Sequence, residues 1–460
     1  MAGDVTRAAQ SDEGVPPERV RQALAFLQRR DVWHVVSRNS PATGCSDAAS
    51  RRRRLGREGI PLYDELRSFC GVFYPQHDRH AGRRIVLLHC RADSRFDLRA
   101  AGALLSAYRR IARLSHAELN RAGAAYGTVN PFTAPDGCIQ VFDEGVLRPY
   151  TPPYTMMTNA GEDTWAIEFR PADVVEALRA DGCDVRVGPI AAHSPDPVQL
   201  AAFGIITGNG PESGMTLWRH INQAVRSRLD AERRMGGDLS YPRVVLHSIP
   251  EMGLSMELAS RERDVWGVIE QAIGDLRRSG VTHVAIACNT SQFFAEKVRE
   301  ACGPKLKFVS MVDATAEYLR REQVGEVTLI GIPVVADLGD LSGYRSLRKL
   351  GVRAVEPSAE PYLQELAYLV KRLDDRSPDN ASLNRLQHVL RSGVPTGHVV
   401  IALTEISVLL ERYPKLHAKI GGKTVIDPLR LCGEKMADIY LRSLPREDLE
   451  DESSDDVQLE

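Results

Sequence analysis

Val284-Ala285-Ile286-Ala287-Cys288-Asn289-Thr290 opens with four apolar residues and closes with a thiol, an amide and a hydroxyl. A short, uninterrupted apolar run of this kind is the pattern of a strand buried on both faces of a parallel sheet. Ligands of open α/β sheets bind beyond the carboxyl ends of such strands, which is where Cys288 falls. If a helix starts there, its N-terminus favours the thiolate, the form able to act as base or nucleophile. Asn289 and Thr290 are then placed to hydrogen-bond a carboxylate. The bland alternative for Cys288 is an inert core thiol.

Outward from this segment the same grammar repeats. Strands are expected at Phe203 to Thr207, Val244 to Ser248, Val284 to Ala287, Phe308 to Val312, Val327 to Ile330 and Val399 to Leu403, with helical stretches between them. Alternation of this sort predicts parallel sheets with helices on their faces. Upstream, a helix is expected over 18–31, the Arg-rich stretch after it reads as a loop, and strands are expected at Ile85 to Leu88 and Ile139 to Phe142. Helices at Leu98 to Leu105 and Ala117 to Arg121 complete an α+β pattern. The polar, Pro-bearing segment Ala191 to Gln199, with Ser194-Pro195-Asp196-Pro197, suits a domain boundary. The expected organisation is a flexible terminus over 1–17, an α+β domain over 18–195, an α/β domain over 200–445 and an acidic flexible tail over 446–460.

Length and composition set outer bounds. A chain of 460 residues exceeds what one core usually supports, and 43% hydrophobic with 26% charged residues is ordinary for a globular protein. No apolar run is long enough to span a bilayer, and Met1 to Pro17 lacks the layout of a secretion signal, so a cytoplasmic protein is expected. The eight cysteines are scattered without the close pairing of zinc sites or disulfide modules, so free thiols and no bound metal are expected. The net charge of −2 conceals a basic run, Arg51-Arg52-Arg53-Arg54 with Arg57, and an acidic end.

Two further segments bear on the site. Gly204-Ile205-Ile206-Thr207-Gly208-Asn209-Gly210-Pro211-Glu212 ends an apolar strand in glycines ahead of a helix, so Gly208, Asn209 and Gly210 are candidates to meet a substrate carboxylate with backbone N–H groups. A plain strand-to-helix turn has the same outline. His398-Val399-Val400-Ile401-Ala402-Leu403-Thr404-Glu405 repeats the apolar strand with polar residues after it, so the two halves look pseudo-symmetric, with Thr404 and Glu405 as further candidates.

Gly210-Pro211-Glu212, Cys288-Asn289-Thr290, Thr404-Glu405 and Val425-Ile426-Asp427-Pro428 occur in that order, and together they resemble the aspartate/glutamate racemase superfamily over roughly residues 202 to 442. The resemblance implies two pseudo-symmetric parallel-sheet subdomains, no cofactor and no metal, an amino-acid-like carboxylate substrate, and a homodimer. It also implies proton exchange at the substrate α-carbon between two cysteines on opposite faces, which stereoinversion requires. Cys288 matches the first of these cysteines. Leu403 stands at the second, and leucine carries no proton. The segment Gly331-Ile332-Pro333-Val334-Val335 also lacks the family's usual threonines. Three accounts stay open: His247, Glu251 or solvent supplies the second proton; the reaction needs one acid/base group, as in isomerisation, elimination or decarboxylation; or catalysis has been lost.

The N-terminal half, over roughly residues 60 to 180, resembles the YbaK/prolyl-tRNA deacylase family in Arg113-Leu114-Ser115, Gly127-Thr128-Val129-Asn130-Pro131-Phe132 and Asn159-Ala160-Gly161. That resemblance implies a deacylase-type loop carrying Gly127 and Pro131, and aminoacyl-tRNA as a partner. The family's lysine position is held here by Cys70 or Gly71. Arg51, Arg52, Arg53, Arg54 and Arg57 would suit phosphate contacts, or form a solvated loop.

The sequence thus predicts an α/β protein in which an N-terminal α+β, YbaK-like domain precedes the two racemase-like subdomains. Its leading function is a cofactor-independent, cysteine-dependent amino acid racemase or isomerase. The rival is an aminoacyl-tRNA-binding or trans-editing protein whose racemase-like half is a scaffold.

Overall fold

The computed structural model describes residues 15–54, 57–76, 82–108, 111–123, 125–150, 152–192, 200–232, 235, 237–372, 380–412, 419–420 and 422–444. The expected acidic tail, most of the expected flexible N-terminus and Ser194-Pro195-Asp196-Pro197 lie outside them. The chain is a mixed α/β protein that divides between Gln199 and Leu200 into two compact units. All eight cysteines are free thiols. Among the described residues no helix is long and apolar enough to cross a membrane.

In the C-terminal unit the apolar runs form two sheets with the same logic. The first orders its strands Val244–Ser248, Phe203–Thr207, His283–Ile286 and Lys307–Phe308, all parallel. The second orders Val352–Ala354, Val327–Ile330, His398–Ile401 and Lys423–Ile426, again parallel, with Lys419–Ile420 added antiparallel at the edge. Each sheet therefore follows the chain order second, first, third, fourth. The long helices Pro211–Ala231 and Leu258–Arg278 bury Leu217, Ile221 and Val225, and Val265, Ile269 and Ile273, one stripe each at helical spacing. Helix Pro428–Ser443 returns to the first sheet, where Leu429, Cys432 and Met436 share a core with Phe203 and Ile205.

The expected strand Phe308 to Val312 is corrected. Only Lys307–Phe308 pairs, and Ser310 caps a helix over Met311–Arg321 through its hydroxyl, which accepts from the N–H groups of Val312 and Asp313. A serine preceding an amphipathic run is a helix start, and that signal outweighs the β-branched residues around it.

The N-terminal unit is built on a mixed sheet in the order Asp184–Gly188, Ile139–Asp143, Arg84–Arg91, Leu66–Phe73 and Ala112–Arg113. A three-stranded antiparallel sheet, His34–Arg38, Trp165–Phe169 and Met156–Asn159, stands beside it. The expected helices occur at Glu18–Arg29, Leu98–Leu104 and His116–Arg121. The Arg-rich stretch, expected as a loop, is instead helix Gly44–Arg51 followed by a small hairpin of Arg53–Arg54 and Arg57–Glu58.

At the centre of the mixed sheet His89 is fully buried, and burial pushes its pKa down to about 3, against an ordinary value of 6.5. An imidazole depressed in this way contributes stability above its unfolded pKa, and loses it as pH falls from about 6.5 towards about 3. The urea midpoint of the protein should therefore fall relative to that of His89→Gln as pH drops from about 7 to about 4. Parallel midpoints across that range would contradict a neutral, buried His89.

Candidate functional site

The two sheets of the C-terminal unit place their strand ends by the same backbone bond. Ala287 N–H donates to Ile206 O at 2.9 Å, and Ala402 N–H donates to Ile330 O at 2.7 Å. Cys288 and Leu403, one residue further on, hold equivalent positions. Counting forward from Ile206 and Ile330 gives a second equivalence, Asn209 with Pro333.

Around Cys288 the first of these ends is polar. Asn209 Nδ2 donates to Ser255 Oγ at 2.7 Å and to Cys288 Sγ at 3.4 Å, and Ser255 Oγ lies 3.7 Å from the same sulfur. Asn209, Ser255 and Cys288 are all buried. A sulfur carrying negative charge at this point has an amide N–H and a hydroxyl from which to accept. Gln292 locks the segment in place: its Nε2 donates to Ile286 O at 3.2 Å and Cys288 O at 3.3 Å, while its Oε1 accepts from Ser310 Oγ and Met311 N, both at 3.1 Å.

The expectation of a helix immediately after the thiol needs adjustment. A 3₁₀ turn spans Thr290–Phe294, and the α-helix begins at Ala295.

Asn289 is buried beside the thiol. Its Oδ1 accepts from Tyr344 Oη at 2.5 Å, whereas its Nδ2 has no partner. Tyr344 is fully buried, and desolvation pushes its phenol well above the ordinary value, so it stays protonated. An orphaned amide donor in such a setting costs free energy, on the order of 1–3 kcal/mol, that an incoming acceptor recovers.

The remaining candidates lie nearby or are less informative. Gly208 has φ +133°, and a Cβ there would stand 1.8 Å from Ile249 O, so that turn admits no side chain. Gly210 caps helix Pro211–Ala231 with φ +86°, and a Cβ on it would come 3.9 Å from Glu405 Oε1. Glu405 of the second half thus closes on the glycine turn of the first. Thr404 and Glu405 are buried, Thr404 Oγ1 donating to Glu405 Oε2 at 3.3 Å, and Thr290 is buried beside Asn289. Asp427 caps helix Pro428–Ser443, its Oδ1 accepting from Leu429 N at 2.9 Å and Ser407 Oγ at 2.8 Å.

The substitutes considered for a second proton carrier do not gather at the thiol. His247 Nε2 faces Asp275 Oδ2 at 4.0 Å, and Glu251 is exposed. Leu403 belongs to the apolar core of the second sheet.

Ser255 and Tyr344 were not legible beforehand. Ser255 sits in the 3₁₀ segment Pro250–Glu257 and Tyr344 just ahead of the 3₁₀ turn Arg345–Leu350, far from any motif. Nothing in their neighbours' identity marks them.

The basic run of the N-terminal unit is corrected in part. Arg52 is buried and forks onto Glu65, with Nε to Oε2 at 2.9 Å and Nη2 to Oε1 at 2.6 Å, while its Nη1 donates to Asn39 Oδ1 at 3.2 Å. Arg54 pairs with Asp64 at 2.5 Å and Glu168 at 3.1 Å. Both guanidinium groups are engaged by internal carboxylates. Arg51 pairs with Asp47 at 2.6 Å, Arg53 is exposed, and the Arg57 side chain lies outside what is described.

The loop of Gly127 and Pro131 is stitched by Asn130, whose Oδ1 accepts from Phe132 N at 2.9 Å and Thr133 N at 3.0 Å, and Gly127 lines a cavity of about 330 Å³. Cys70 and Gly71 lie within strand Leu66–Phe73, and Cys70 lines that cavity.

No family model matches the sequence, and no curated protein matches it significantly. Its structural neighbours include Asp/Glu racemases covering about half the chain. The chain is similar to the aspartate racemase of Picrophilus torridus, at 21% identity over 53% of this chain and 94% of that one, with a TM-score of 0.41. It is similar to an aspartate racemase homologue from Pyrococcus horikoshii OT3, at 18% identity over 53% and 100%, with a TM-score of 0.37. A glutamate racemase from Francisella tularensis subsp. tularensis, in complex with D-glutamate, is similar at 13% identity over 53% and 83%, with a TM-score of 0.36.

Two substitutions test this geometry. Gly208→Ala should destabilise the C-terminal unit by about 3 kcal/mol or more, because the clash is with backbone and the φ is hostile to a side chain. Arg52→Met should cost about 3–5 kcal/mol by stranding the Glu65 carboxylate, while Arg53→Met should stay within about 0.5 kcal/mol. Urea unfolding reads each; equal effects of the two arginine changes would contradict the buried pair.

Proposed function

We infer that the C-terminal unit is a cofactor-independent enzyme of the amino acid racemase or isomerase type, in which Cys288 removes or returns a proton on the α-carbon of an amino-acid-like carboxylate. One observation carries this reading: a thiol at the carboxyl edge of a parallel sheet, hydrogen-bonded by Asn209 and faced by Ser255, adjoins the orphaned Asn289 Nδ2. The thiol supplies the acid/base group, and the amide donor supplies a contact for the substrate carboxylate. Thr290, Thr404 and the Gly208–Gly210 turn complete the proposed carboxylate pocket.

The half-site favours one acid/base group over two. Leu403 stands where a second thiol would, and Pro333 stands where a counterpart of Asn209 would, so both the proton carrier and its donor are absent from the second half. Cys288 therefore removes and returns the proton on one face, which gives exchange or a same-face proton shift without inversion at the α-carbon. The tRNA-binding reading has less support, because Arg52 and Arg54 are consumed by internal carboxylates.

Free amino acids of both configurations, incubated with the protein in deuterated water, should exchange the α-proton of the true substrate with configuration retained. Cys288→Ala should lower that exchange by about 10³-fold. Inversion at the rate of exchange would overturn the one-base assignment, and full exchange by Cys288→Ala would overturn the role of the thiol.

A further inference from the structure

The N-terminal unit holds a second candidate centre of its own. Its sheet pairs Ser68 directly with His89 across the strands Leu66–Phe73 and Arg84–Arg91. Directly opposed residues share a face of an antiparallel pair, and on this face Ser68 Oγ lies 2.9 Å from His89 Nδ1. On the other side of the ring, His89 Nε2 lies 3.1 Å from Gln140 Oε1. Gln140 Nε2 donates to Pro131 O at 3.1 Å.

These bonds fix one another's direction. Pro131 O can only accept, so the amide of Gln140 turns its nitrogen to Pro131 and its oxygen to His89. The ring proton is therefore on Nε2, which donates to that oxygen. Nδ1 keeps its lone pair, and the Ser68 hydroxyl donates to it. Nucleophile, base and orienting group stand in series at hydrogen-bond distances, with the two ring nitrogens exchanging their more familiar roles.

Ser68 is half-buried and lines the cavity of about 330 Å³, whereas His89 is sealed behind it. The same cavity is lined by Arg67 and Arg113, and by an apolar wall that includes Phe69 and Leu114. Arg52 and Glu65 of its lining neutralise each other, which leaves Arg67 and Arg113 against Asp163. The cavity suits a ligand that is part apolar and part anionic.

We propose that Ser68, His89 and Gln140 form an acyl-transfer centre in which Ser68 is the nucleophile toward activated carboxylic esters bearing an anionic group. The Ser68 oxygen bonds to the acyl carbon as its proton passes to His89 Nδ1. The ester C–O bond then breaks, and the leaving group departs as a stable anion while the proton stays on Nδ1. A water that has lost a proton to solvent next adds to the acyl-serine as hydroxide, and the acid is released as the Ser68 oxygen takes its own proton back from Nδ1. Burial leaves His89 neutral at physiological pH, ready to accept, and makes the transient imidazolium a strong acid that returns its proton readily. Such a weak base demands a good leaving group, which is why the substrate class is an activated ester.

The test uses the full chain with a fluorophosphonate probe, and with p-nitrophenyl acetate and mono-p-nitrophenyl succinate as neutral and anionic esters. Tandem mass spectrometry should locate one phosphonyl adduct on Ser68. Ser68→Ala should abolish it with the circular dichroism spectrum unchanged, and Gln140→Leu should slow it at least tenfold. Cys288→Ala should leave it intact, which separates this centre from the one in the C-terminal unit. Arg113→Met should slow the succinate ester more than the acetate. A folded protein that gains no adduct on Ser68, or Ser68→Ala labelled as fast as the parent, would overturn the proposal.

Discussion

The hydrogen bond from Ala287 N–H to Ile206 O, with its twin from Ala402 to Ile330, governs the C-terminal unit. Each extends a parallel ladder one residue past its strand, and so fixes where the chain leaves the sheet. Because side chains alternate with a period of two, a slip of one residue at this bond would turn Cys288 to the other face and remove it from Asn209 and Ser255. The apolar strand is thus the device that aims the thiol. Gln292 backs it by holding Ile286 O and Cys288 O from one side chain.

Equivalent backbone positions make the asymmetry of the two halves interpretable. One half ends in Asn209 and Cys288, the other in Pro333 and Leu403. The leucine is not a mere gap, since it belongs to the core of its own sheet. Cys288 likewise lies in the core of the first sheet, so what separates the halves is that Cys288 has Asn209 and Ser255 at hydrogen-bond distance. The second half still contributes to the site through Tyr344, which holds Asn289 from the opposite side, and through Glu405 against Gly210. A buried amide with one atom satisfied and the other orphaned is an expensive arrangement unless something is meant to bind there.

The N-terminal unit spends its charges internally. Arg52 with Glu65, and Arg54 with Asp64 and Glu168, are ion pairs taken out of water, where losing one partner is far more damaging than the pair is stabilising. They pin helix Gly44–Arg51 and its hairpin beside the cavity that Ser68 lines. Arg52 of the basic run is therefore part of the wall of that cavity, and the alternation of inward Arg52 and Arg54 with outward Arg53 follows the two-residue period of extended chain.

Sequence alone determined the repeated apolar strands, their parallel character, the place of Cys288 at a strand end and the absence of a thiol at Leu403, because these depend on local pattern and on residue identity. It also offered Asn209 and Asn289, which stand within a few residues of a strand end. It misjudged the Arg-rich stretch, since a run of like charges reads the same whether solvated or paired with distant carboxylates. It could not reach Ser255, Tyr344 or the series of Ser68, His89 and Gln140. Those partners are tens of residues apart, and strand pairing or loop packing, which no local pattern encodes, brings them to hydrogen-bond distance. Only the tertiary structure decided which polar atoms were satisfied and which were left open, and the case for a ligand beside Cys288 rests on that difference.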